Sequence, residues 1–343
     1  MDRRSACYLL AAASIPVAKA DDKRIRVAVF GTGHAHAISK IRTLRRIPEF
    51  EFAGICGLDG EPRAGEVFQG VRWLSAEELL NDPSIELVAI ESRVQQNLKC
   101  AKLCVEAGKF VHLDKAPGED LPALSALLHD ATRRKLVVQM GYQWRYHPAM
   151  QASIKAAKEG WLGKIYAMRA TIDKPIGPAD REQLAAFRSG MMFELGCHLI
   201  DRAVDLFGRP KKVTGILRHE SKINDNLADN TLAVLEFENA MAEIYVAAFQ
   251  PSGNQYRCLE ILGTNGRAIV QPFDPPRLLL DLEQPAGIYR SGRQTIDLTA
   301  PGPIFSPDFA EMARIIRHKE RPSYSTEHDL IAQETLLKAC GVG

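Results

Sequence analysis

The chain has 343 residues, of which 46% are hydrophobic and 25% are charged. This length suits about two domains, and the composition excludes disordered, collagen-like and coiled-coil proteins. Lys and Arg number 44 against 42 Asp and Glu, a net charge of +2. Because Arg3, Arg4, Lys19 and Asp2 already give +2 within residues 1–20, the rest of the chain is neutral and lacks the charge pattern of proteins that bind nucleic acids or membrane surfaces.

Residues 1–20 have the form of an export signal. The pair Arg3-Arg4 precedes an apolar stretch, and Ala18-Lys19-Ala20 matches the small-x-small pattern of a signal-peptidase site. The apolar stretch is shorter than the roughly 20 residues that a membrane-spanning helix needs. We therefore predict a twin-arginine-like signal peptide over residues 1–20, cleaved from a periplasmic or otherwise exported protein with no membrane association. The alternative is a cytoplasmic protein with an uncleaved N-terminus.

The seven cysteines are spread along the chain and form no C-x-x-C pair. This spacing fits neither a disulfide framework nor a structural zinc site, and the histidines show no zinc-ligand spacing either. We predict buried free thiols and no metal site.

The chain after the signal begins with a strand, a glycine turn and a helix. The β-rich run 25–30 is followed by Gly31-Thr32-Gly33 and by a helix-compatible stretch over 35–46. In dinucleotide-binding folds the first glycine permits the turn, the second admits a pyrophosphate, and the helix N-terminus faces the phosphate charge. The third glycine position holds His36, so the fingerprint is incomplete. The predicted cofactor contacts of this turn are Gly31, Thr32, Gly33, His34 and His36.

Apolar runs then alternate with helical segments, which indicates a parallel sheet. The runs cover residues 52–56, 87–90, 110–113 and 136–138, and a helix of about 97–107 ends at Gly108. Right-handed crossovers between such strands produce a doubly wound sheet that binds ligands beyond the carboxyl ends of its strands. We predict an α/β N-terminal domain, a Rossmann doubly wound parallel sheet, over residues 21–142.

The acidic residue that binds the adenosine ribose is absent from its usual place at the end of the second strand, where Gly57 stands. Asp59 follows two residues later and is the predicted ribose contact, whereas Arg63 would favour a 2′-phosphate. The choice between NAD and NADP therefore stays open. A plain polar turn at Asp59-Gly60 is the alternative.

Four segments together resemble the Gfo/Idh/MocA family, the group of glucose–fructose oxidoreductase and inositol dehydrogenase. They are Gly31-Thr32-Gly33, residues 107–115, Arg145-Tyr146-His147-Pro148 and residues 194–201. The family's E-K-P reads Asp114-Lys115-Ala116 here, and its D-x-x-x-H reads Glu194-x-x-x-His198. The resemblance implies NAD or NADP as the cofactor and a small carbohydrate as the substrate.

The resemblance also implies catalytic roles for Lys115, His198 and Glu194. Lys115, also a predicted cofactor contact, would polarise the substrate hydroxyl, His198 would take its proton, and Glu194 would fix His198 or a neighbouring hydroxyl. The residues support these roles, since Lys115 follows a buried strand and Glu194 and His198 share one helix face at a spacing of four. The plain alternatives are a solvated lysine at a strand end and a Glu–His contact on a helix surface.

Further site residues follow from the same resemblance. The family's T-P-N-x-x-H stretch reads 92–97 here without its proline and histidine, and Ser92 is the predicted cofactor contact in it. The segment 142–147 joins the two halves and could line a sugar-sized pocket, although core packing explains its aromatic rings almost as well. The predicted substrate contacts are Trp144, Arg145, Tyr146 and Asp201, and Asp201 also suits a structural role on its helix.

The second half is predicted to be an α+β domain over residues 143–343 with an open, mainly antiparallel sheet. A helix up to Gly160 precedes β-rich runs over 164–172, 212–217, 229–237, 241–249 and 256–262. Hairpin signals lie at 238–240 and 263–266. In the resembling family this sheet walls the substrate pocket and often forms dimers or tetramers, so we expect a homo-oligomer.

These observations predict an NAD(P)-dependent oxidoreductase that transfers a hydride between a nicotinamide and a hydroxyl carbon of a sugar, polyol or sugar acid. Two alternatives stay open. One is a glycosidase with a retained cofactor and no net redox change, as in some relatives. The other is a sugar-binding protein that has lost catalysis, which His36 and Gly57 would explain.

Overall fold

The computed structural model describes residues 23–186, 190–299 and 302–342, and the predicted signal peptide lies outside the described residues. The first domain contains a five-stranded parallel sheet of order β2-β1-β3-β4-β5, which confirms the predicted Rossmann-like architecture. Its strands are β1 (Ile25–Phe30), β2 (Phe50–Cys56), β3 (Ile85–Ile90), β4 (Phe110–Asp114) and β5 (Val138–Gly141).

Helices cover both faces of this sheet, so its strands carry apolar side chains on both sides. The helices of the first domain are α1 (Ala37–Leu44), α2 (Ala76–Asn81), α3 (Val94–Glu106) and α4 (Leu121–Arg133). Ala28 and Phe30 of β1 belong to the core that includes α3 and α4, whereas Val27 and Val29 pack in the core that includes α1.

The end of the chain also contributes to the first domain. Helix α8 (Ser306–His318) places Phe309 and Met312 in the same core as Val27 and Val29. The predicted domain boundary at residue 142 did not anticipate this return of the chain.

The second domain is built on an eight-stranded sheet of order β13-β12-β11-β10-β6-β9-β8-β7. Among the described strands, only β6 and β9 run parallel to each other, so the sheet is mainly antiparallel as predicted. Its strands are β6 (Ile165–Asp173), β7 (Lys212–Arg218), β8 (Asn230–Glu236), β9 (Met241–Ala247), β10 (Cys258–Gly263), β11 (Gly266–Val270), β12 (Arg277–Leu282) and β13 (Gly292–Asp297). The two predicted hairpins join β8 to β9 and β10 to β11.

The remaining helices are α5 (Pro148–Lys158), α6 (Pro178–Ala185), α7 (Cys197–Phe207), α8 (Ser306–His318) and α9 (Thr326–Ala339), and a π-helical turn over Met192–Gly196 leads into α7. Every described cysteine except Cys258 is buried, as predicted. A search of the described helices found none with the length and hydropathy needed to cross a bilayer.

Candidate active site

A cleft of about 630 Å³ separates the two domains at the carboxyl edge of the parallel sheet. The first domain lines it with residues 33–35 and 93–96, and the second with Lys174, residues of α6 and Glu194. Its volume lies within the range of about 300–1,000 Å³ that small-molecule sites occupy. We call this space the interdomain cleft.

The glycine turn at one end of the cleft is packed closely against the next strand. Gly31 has φ +85°, and a Cβ there would lie 2.5 Å from the Cα of Ser92. The Ser92 side chain is buried and its hydroxyl donates to Asn97 Oδ1 at 2.7 Å. The Ser92 side chain therefore supports the turn, and the predicted contact of Ser92 with a cofactor stays a prediction.

A carboxylate that the sequence did not indicate lies against the second glycine. Glu61 accepts the amide of Thr32 at 2.7 Å and the amide of Arg93 at 3.1 Å, and a Cβ on Gly33 would lie 2.5 Å from Glu61 Oε1. Asp59, the predicted ribose contact, is solvent-exposed on the preceding turn. Glu61 is thus a second acidic candidate for the ribose beside the glycine turn, and Asp59 stays a prediction.

The turn keeps donors that suit a dinucleotide. Within the described residues, the amides of Gly33 and Ala35 have no hydrogen-bond partner, and both residues line the interdomain cleft at the start of α1. These amides and the helix N-terminus would hold a diphosphate. The residues present therefore fit a dinucleotide cofactor.

The two histidines of the turn contact a buried carboxylate. Asp114, at the end of β4, has its Oδ2 2.9 Å from His34 Nδ1, 3.1 Å from His36 Nδ1 and 2.7 Å from Lys40 Nζ. Lys40 also contacts Glu91 Oε1 at 2.8 Å. The rings of His34 and His36 bind Asp114 beneath the turn, while His34 also lines the interdomain cleft, so the cofactor contacts of these two residues stay a prediction.

Burial and mutual attraction set the charges of this group. Burial alone would raise the pKa of Asp114, but His34, Lys40 and His36 together hold that pKa well below its usual range. The pKa of Glu91 is raised well above its usual value by burial and by Asp114. Burial lowers the pKa of His36 to about 4, although Asp114 opposes the shift. Burial opposes the charge of Lys40, but Asp114 and Glu91 raise its pKa, so Lys40 supplies positive charge to both carboxyl groups.

His34, His36 and Asp114 also form a set of potential metal ligands, with one ligand atom from each within 4.8 Å of the others. The prediction of no metal site overlooked this convergence. However, the Lys40 ammonium lies 2.7 Å from the same Asp114 oxygen that both histidines contact. That positive charge opposes a metal ion, so we interpret the group as a hydrogen-bonded network.

Lys115 and Glu194 meet across the domain boundary, as the sequence suggested for residues of one site. The ammonium of Lys115 lies 2.6 Å from Glu194 Oε1 and donates to the Glu194 carbonyl oxygen at 2.9 Å. Burial opposes both charges, but the attraction between the two groups raises the pKa of Lys115 and lowers that of Glu194. The pair is therefore ionised at neutral pH, and Glu194 lines the interdomain cleft.

His198 does not receive the support from Glu194 that was predicted. Its ring is buried against Trp144, with centroids 4.7 Å apart, and against Tyr142 at 5.9 Å. Nδ1 is buried and has no hydrogen-bond partner among the described residues. Burial, reinforced by the charge of Lys115, holds the pKa of His198 well below its usual value, so the ring is neutral. Glu194 instead binds Lys115 because a buried ammonium needs a counter-ion more than a neutral imidazole does.

Two predicted substrate contacts belong to a buried ionic network instead. Arg145 contacts Asp201 and Asp329, each at 2.6 Å, and Asp201 also contacts Arg202 at 2.6 Å and His328 at 2.9 Å. The prediction that Arg145 and Asp201 contact the substrate is therefore corrected: their charges are already satisfied inside the second domain and where it meets α9.

The other two predicted substrate contacts, Tyr146 and Trp144, lie in different surroundings. The Tyr146 hydroxyl donates to Glu311 and accepts from Gln139 Nε2 at 3.0 Å, so it joins α8 to the first domain and is not a cleft residue. Trp144 remains beside the predicted base His198 and packs edge-on against Phe273 at 4.8 Å.

Several residues near the cleft gave no recognisable signal in the sequence. Lys40, Glu91 and Glu61 lie in stretches interpreted only as helix, strand end and turn. Lys174 follows directly after β6, and a cation after a strand was the signal used for Lys115. The same reasoning applied to the second domain could have identified Lys174.

Two family models match the chain. The model "Oxidoreductase family, NAD-binding Rossmann fold" matches residues 25–142, and the "GFO/IDH/MocA C-terminal domain" model matches residues 150–269. Together they cover most of the described chain.

Curated relatives are similar over part of their length. Trans-1,2-dihydrobenzene-1,2-diol dehydrogenase of Bos taurus is 26% identical over 204 residues, which are 59% of this chain and 58% of the relative. The scyllo-inositol 2-dehydrogenase (NADP(+)) IolW of Bacillus subtilis is 25% identical over 53% of this chain and 51% of its own. The alignments thus span between about half and three fifths of these relatives' own length.

Solved structures share the whole fold at low identity. An oxidoreductase from Agrobacterium radiobacter, in complex with NAD+, L-tartaric acid and magnesium, superimposes with a TM-score of 0.77 at 16% identity, covering 93% of this chain and 96% of the other. GenD2 from gentamicin A biosynthesis, in complex with NAD, gives a TM-score of 0.76 at 18% identity and 94% coverage of both chains. At these identities the similarity establishes the fold.

Proposed function

This chain belongs to the Gfo/Idh/MocA oxidoreductase family, and from that membership we propose that it is a dehydrogenase that uses NAD or NADP to oxidise a hydroxyl group of a sugar, polyol or sugar acid, or to reduce the corresponding carbonyl group. The observation that carries the proposal is the buried ion pair of Lys115 and Glu194, contributed by different domains at the cleft beside the glycine turn. The names of the relatives that act on diols and inositol support an alcohol substrate.

When bound, the nicotinamide cofactor supplies the hydride chemistry. The amides of Gly33 and Ala35 would hold its diphosphate at the N-terminus of α1. Lys115 is charged and would donate to the substrate oxygen, stabilising negative charge that develops there. Glu194 holds that ammonium in place through the 2.6 Å contact.

We assign the proton transfer to His198. Its imidazole is neutral, and the unpartnered Nδ1 shows that the fold leaves its hydrogen-bonding capacity incomplete. A neutral imidazole can accept the proton of a substrate hydroxyl. Because its pKa is low, His198 would pass the proton on rather than store it.

For the cofactor we propose a preference for NAD over NADP. Glu61 is held against the glycine turn by two amides, and its negative charge would bind ribose hydroxyls but repel a 2′-phosphate. Arg63 donates to the carbonyl oxygen of Gly57 at 3.1 Å and stacks on Trp73. Calorimetric titration should therefore show tighter binding of NAD+ than of NADP+, and Glu61→Gln should narrow the difference. Tighter binding of NADP+ to the wild-type protein would contradict the assignment and favour Arg63.

The function itself is tested on the purified protein. Mass spectrometry after denaturation should release a nicotinamide dinucleotide, or calorimetry should show that one binds, and a panel of sugars, polyols and sugar acids should give reduced nicotinamide by absorbance. Absence of both cofactor binding and turnover would reject the proposal. Cleavage of aryl glycosides without net cofactor reduction would select the glycosidase alternative instead.

Export and self-association complete the proposal. The N-terminal sequence supports export, and the mass of the protein recovered from its native host tests it, since cleavage before Asp21 removes 20 residues. Light scattering of the purified protein tests the homo-oligomer, for which a monomer would be the contrary result.

A further inference from the structure

Lys174 and Arg257 continue the core-packed face of the eight-stranded sheet toward the interdomain cleft. In β6 the side chains of Met168 and Ile172 are fully buried, and in β10 those of Leu259 and Ile261 are. Cross-strand pairing sets Ile261 opposite Met168, so all four lie on one face of the sheet. This is the face that packs into the core.

The two-residue alternation of a strand places the next side chains on the same face. Lys174 lies two positions after Ile172, and its amide donates to the Ala247 carbonyl oxygen at 3.3 Å, which continues the pairing of β6 with β9. Arg257 lies two positions before Leu259. Since Cys258 pairs with Thr171, Lys174 and Arg257 occupy neighbouring positions at the same end of the sheet.

The turn that carries Glu194 covers this part of the face. A Cβ on Gly196 would lie 3.5 Å from Val246 of β9, and Val246 pairs with Ile172. Lys174 and Glu194 both line the interdomain cleft. Lys174 is therefore on the wall of the cleft that holds the Lys115–Glu194 pair, with Arg257 beside it.

Among the described residues, neither cation has a counter-ion. The side chains of Lys174 and Arg257 take part in no hydrogen bond or ion pair there, and the Nε atom of Arg257 is buried without an acceptor. Leaving a buried charged donor unpaired is unfavourable, so such groups are usually satisfied by a ligand when the protein does not supply the partner. Burial lowers the pKa of both side chains, which agrees with missing partners.

Carboxylates near the cleft do not replace the missing partner. Glu194 is bound to Lys115, and Asp180 and Glu182 are solvent-exposed on α6 at the rim. A negative group on a molecule bound in the cleft would supply a counter-ion to both Lys174 and Arg257.

We propose that Lys174 and Arg257 bind a carboxylate on the substrate, so that the enzyme acts on a sugar acid rather than on a neutral sugar or polyol. This inference rests on the proposed function and narrows its substrate class. A carboxylate held there would direct a hydroxyl of the same molecule toward Lys115, because Lys174 lines the same cleft as Glu194, the partner of Lys115.

The test compares acids with neutral molecules of the same carbon skeleton. Galacturonate and gluconate are measured against galactose and glucitol, both as substrates and, by calorimetry, as ligands of the cofactor-loaded and cofactor-free protein. Lys174→Gln and Arg257→Gln should each weaken binding of the acids by about 10- to 100-fold, as expected for loss of a charge-assisted contact, and leave the neutral molecules unchanged. The control is Arg169→Gln, which removes a cation from the exposed face of the same strand β6.

The outcomes separate this inference from the proposed function. Turnover of neutral polyols at least as efficient as that of the acids, unaffected by either variant, would overturn the inference while the dehydrogenase proposal stands. Binding of galacturonate that weakens in both variants supports the carboxylate site even without turnover. Equal binding of acids and neutral molecules by the folded wild-type and variant proteins rejects the site, and circular dichroism establishes that each variant is folded. A free-phosphate arm distinguishes a general anion site, since phosphate binding as tight as that of the acids would contradict a site for carboxylates.

Discussion

Replacing Lys40 by Met should destabilise the protein more than almost any other single loss of charge. The Lys40 ammonium lies 2.8 Å from Glu91 Oε1 and 2.7 Å from Asp114 Oδ2, and all three side chains are fully buried. Removing one partner of a buried pair leaves an uncompensated charge and typically costs about 3–5 kcal/mol. Here two buried carboxyl groups lose their shared cation, and Glu91 Oε2 already lacks a hydrogen-bond partner in the described part of the chain. We expect Lys40→Met to lower the free energy of unfolding by an amount at the upper end of that range.

Urea unfolding followed by circular dichroism measures the effect. The control is Lys102→Met, which removes only an exposed pair with Glu106 on α3 and should cost about 0.3–0.5 kcal/mol. The double variant Lys40→Met/Glu91→Gln should recover part of the loss, because it removes one of the two buried acidic groups that Lys40 contacts. A Lys40→Met protein no less stable than Lys102→Met would refute the electrostatic account of this network.

The pH dependence of the free energy of unfolding tests the same account independently. Without Lys40, burial and mutual repulsion would raise the pKa values of Glu91 and Asp114 in the folded state above their unfolded values. A raised folded-state pKa contributes stability that is present at low pH and lost as pH rises. The gap between wild-type and Lys40→Met proteins should therefore narrow as the pH falls from neutral toward 5.

Two further predictions concern the active site and α8. Lys115→Met should reduce turnover by at least about 100-fold, as for loss of one preorganised donor to a developing oxyanion, and leave NAD+ binding by calorimetry within a few-fold; unchanged turnover would exclude Lys115 from the chemistry. Asp308 is fully buried, and burial raises its pKa to about 8. The protonated acid contributes stability that is complete below the unfolded-state pKa of about 3.9 and is lost as the pH rises to about 8. Asp308→Asn should thus match the wild-type protein in urea unfolding near pH 4 and exceed its stability near pH 9, and equal stability at both pH values would contradict the shift.

The first sheet could be predicted from the sequence because its strands are buried on both faces and stand out as continuous apolar runs. The prediction matched β1 at both ends. It placed the last strand at 136–138, whereas β5 is Val138–Gly141. Lys135 adopts a positive φ of 60° at the end of α4, so the chain is still in the connecting turn where the apolar run begins.

Ion pairs between residues far apart in the sequence could not be predicted. Lys40 and Asp114 are 74 positions apart, and Lys115 and Glu194 are 79 apart. Each residue type was visible, but which charge meets which depends on how the strand ends and the π-helical turn are juxtaposed. The return of α8 to the first domain was hidden for the same reason, since an amphipathic helix does not specify which sheet it covers.

The departures from the dinucleotide fingerprint are better explained as a different local arrangement than as loss of function. His36 replaces the third glycine, and its ring bonds to Asp114, whose other carboxylate oxygen accepts the Lys115 amide at 2.7 Å. Gly57 replaces the ribose acid, and Glu61 reaches the turn from four residues further on. Substitutions that accumulate after a cofactor site is lost would not each be expected to gain a hydrogen-bond partner. They would leave buried polar groups unpaired, at a cost of about 1–3 kcal/mol each. The hydrogen-bond partners of His36 and Glu61 therefore favour a functional cofactor site over a sugar-binding protein that has lost catalysis.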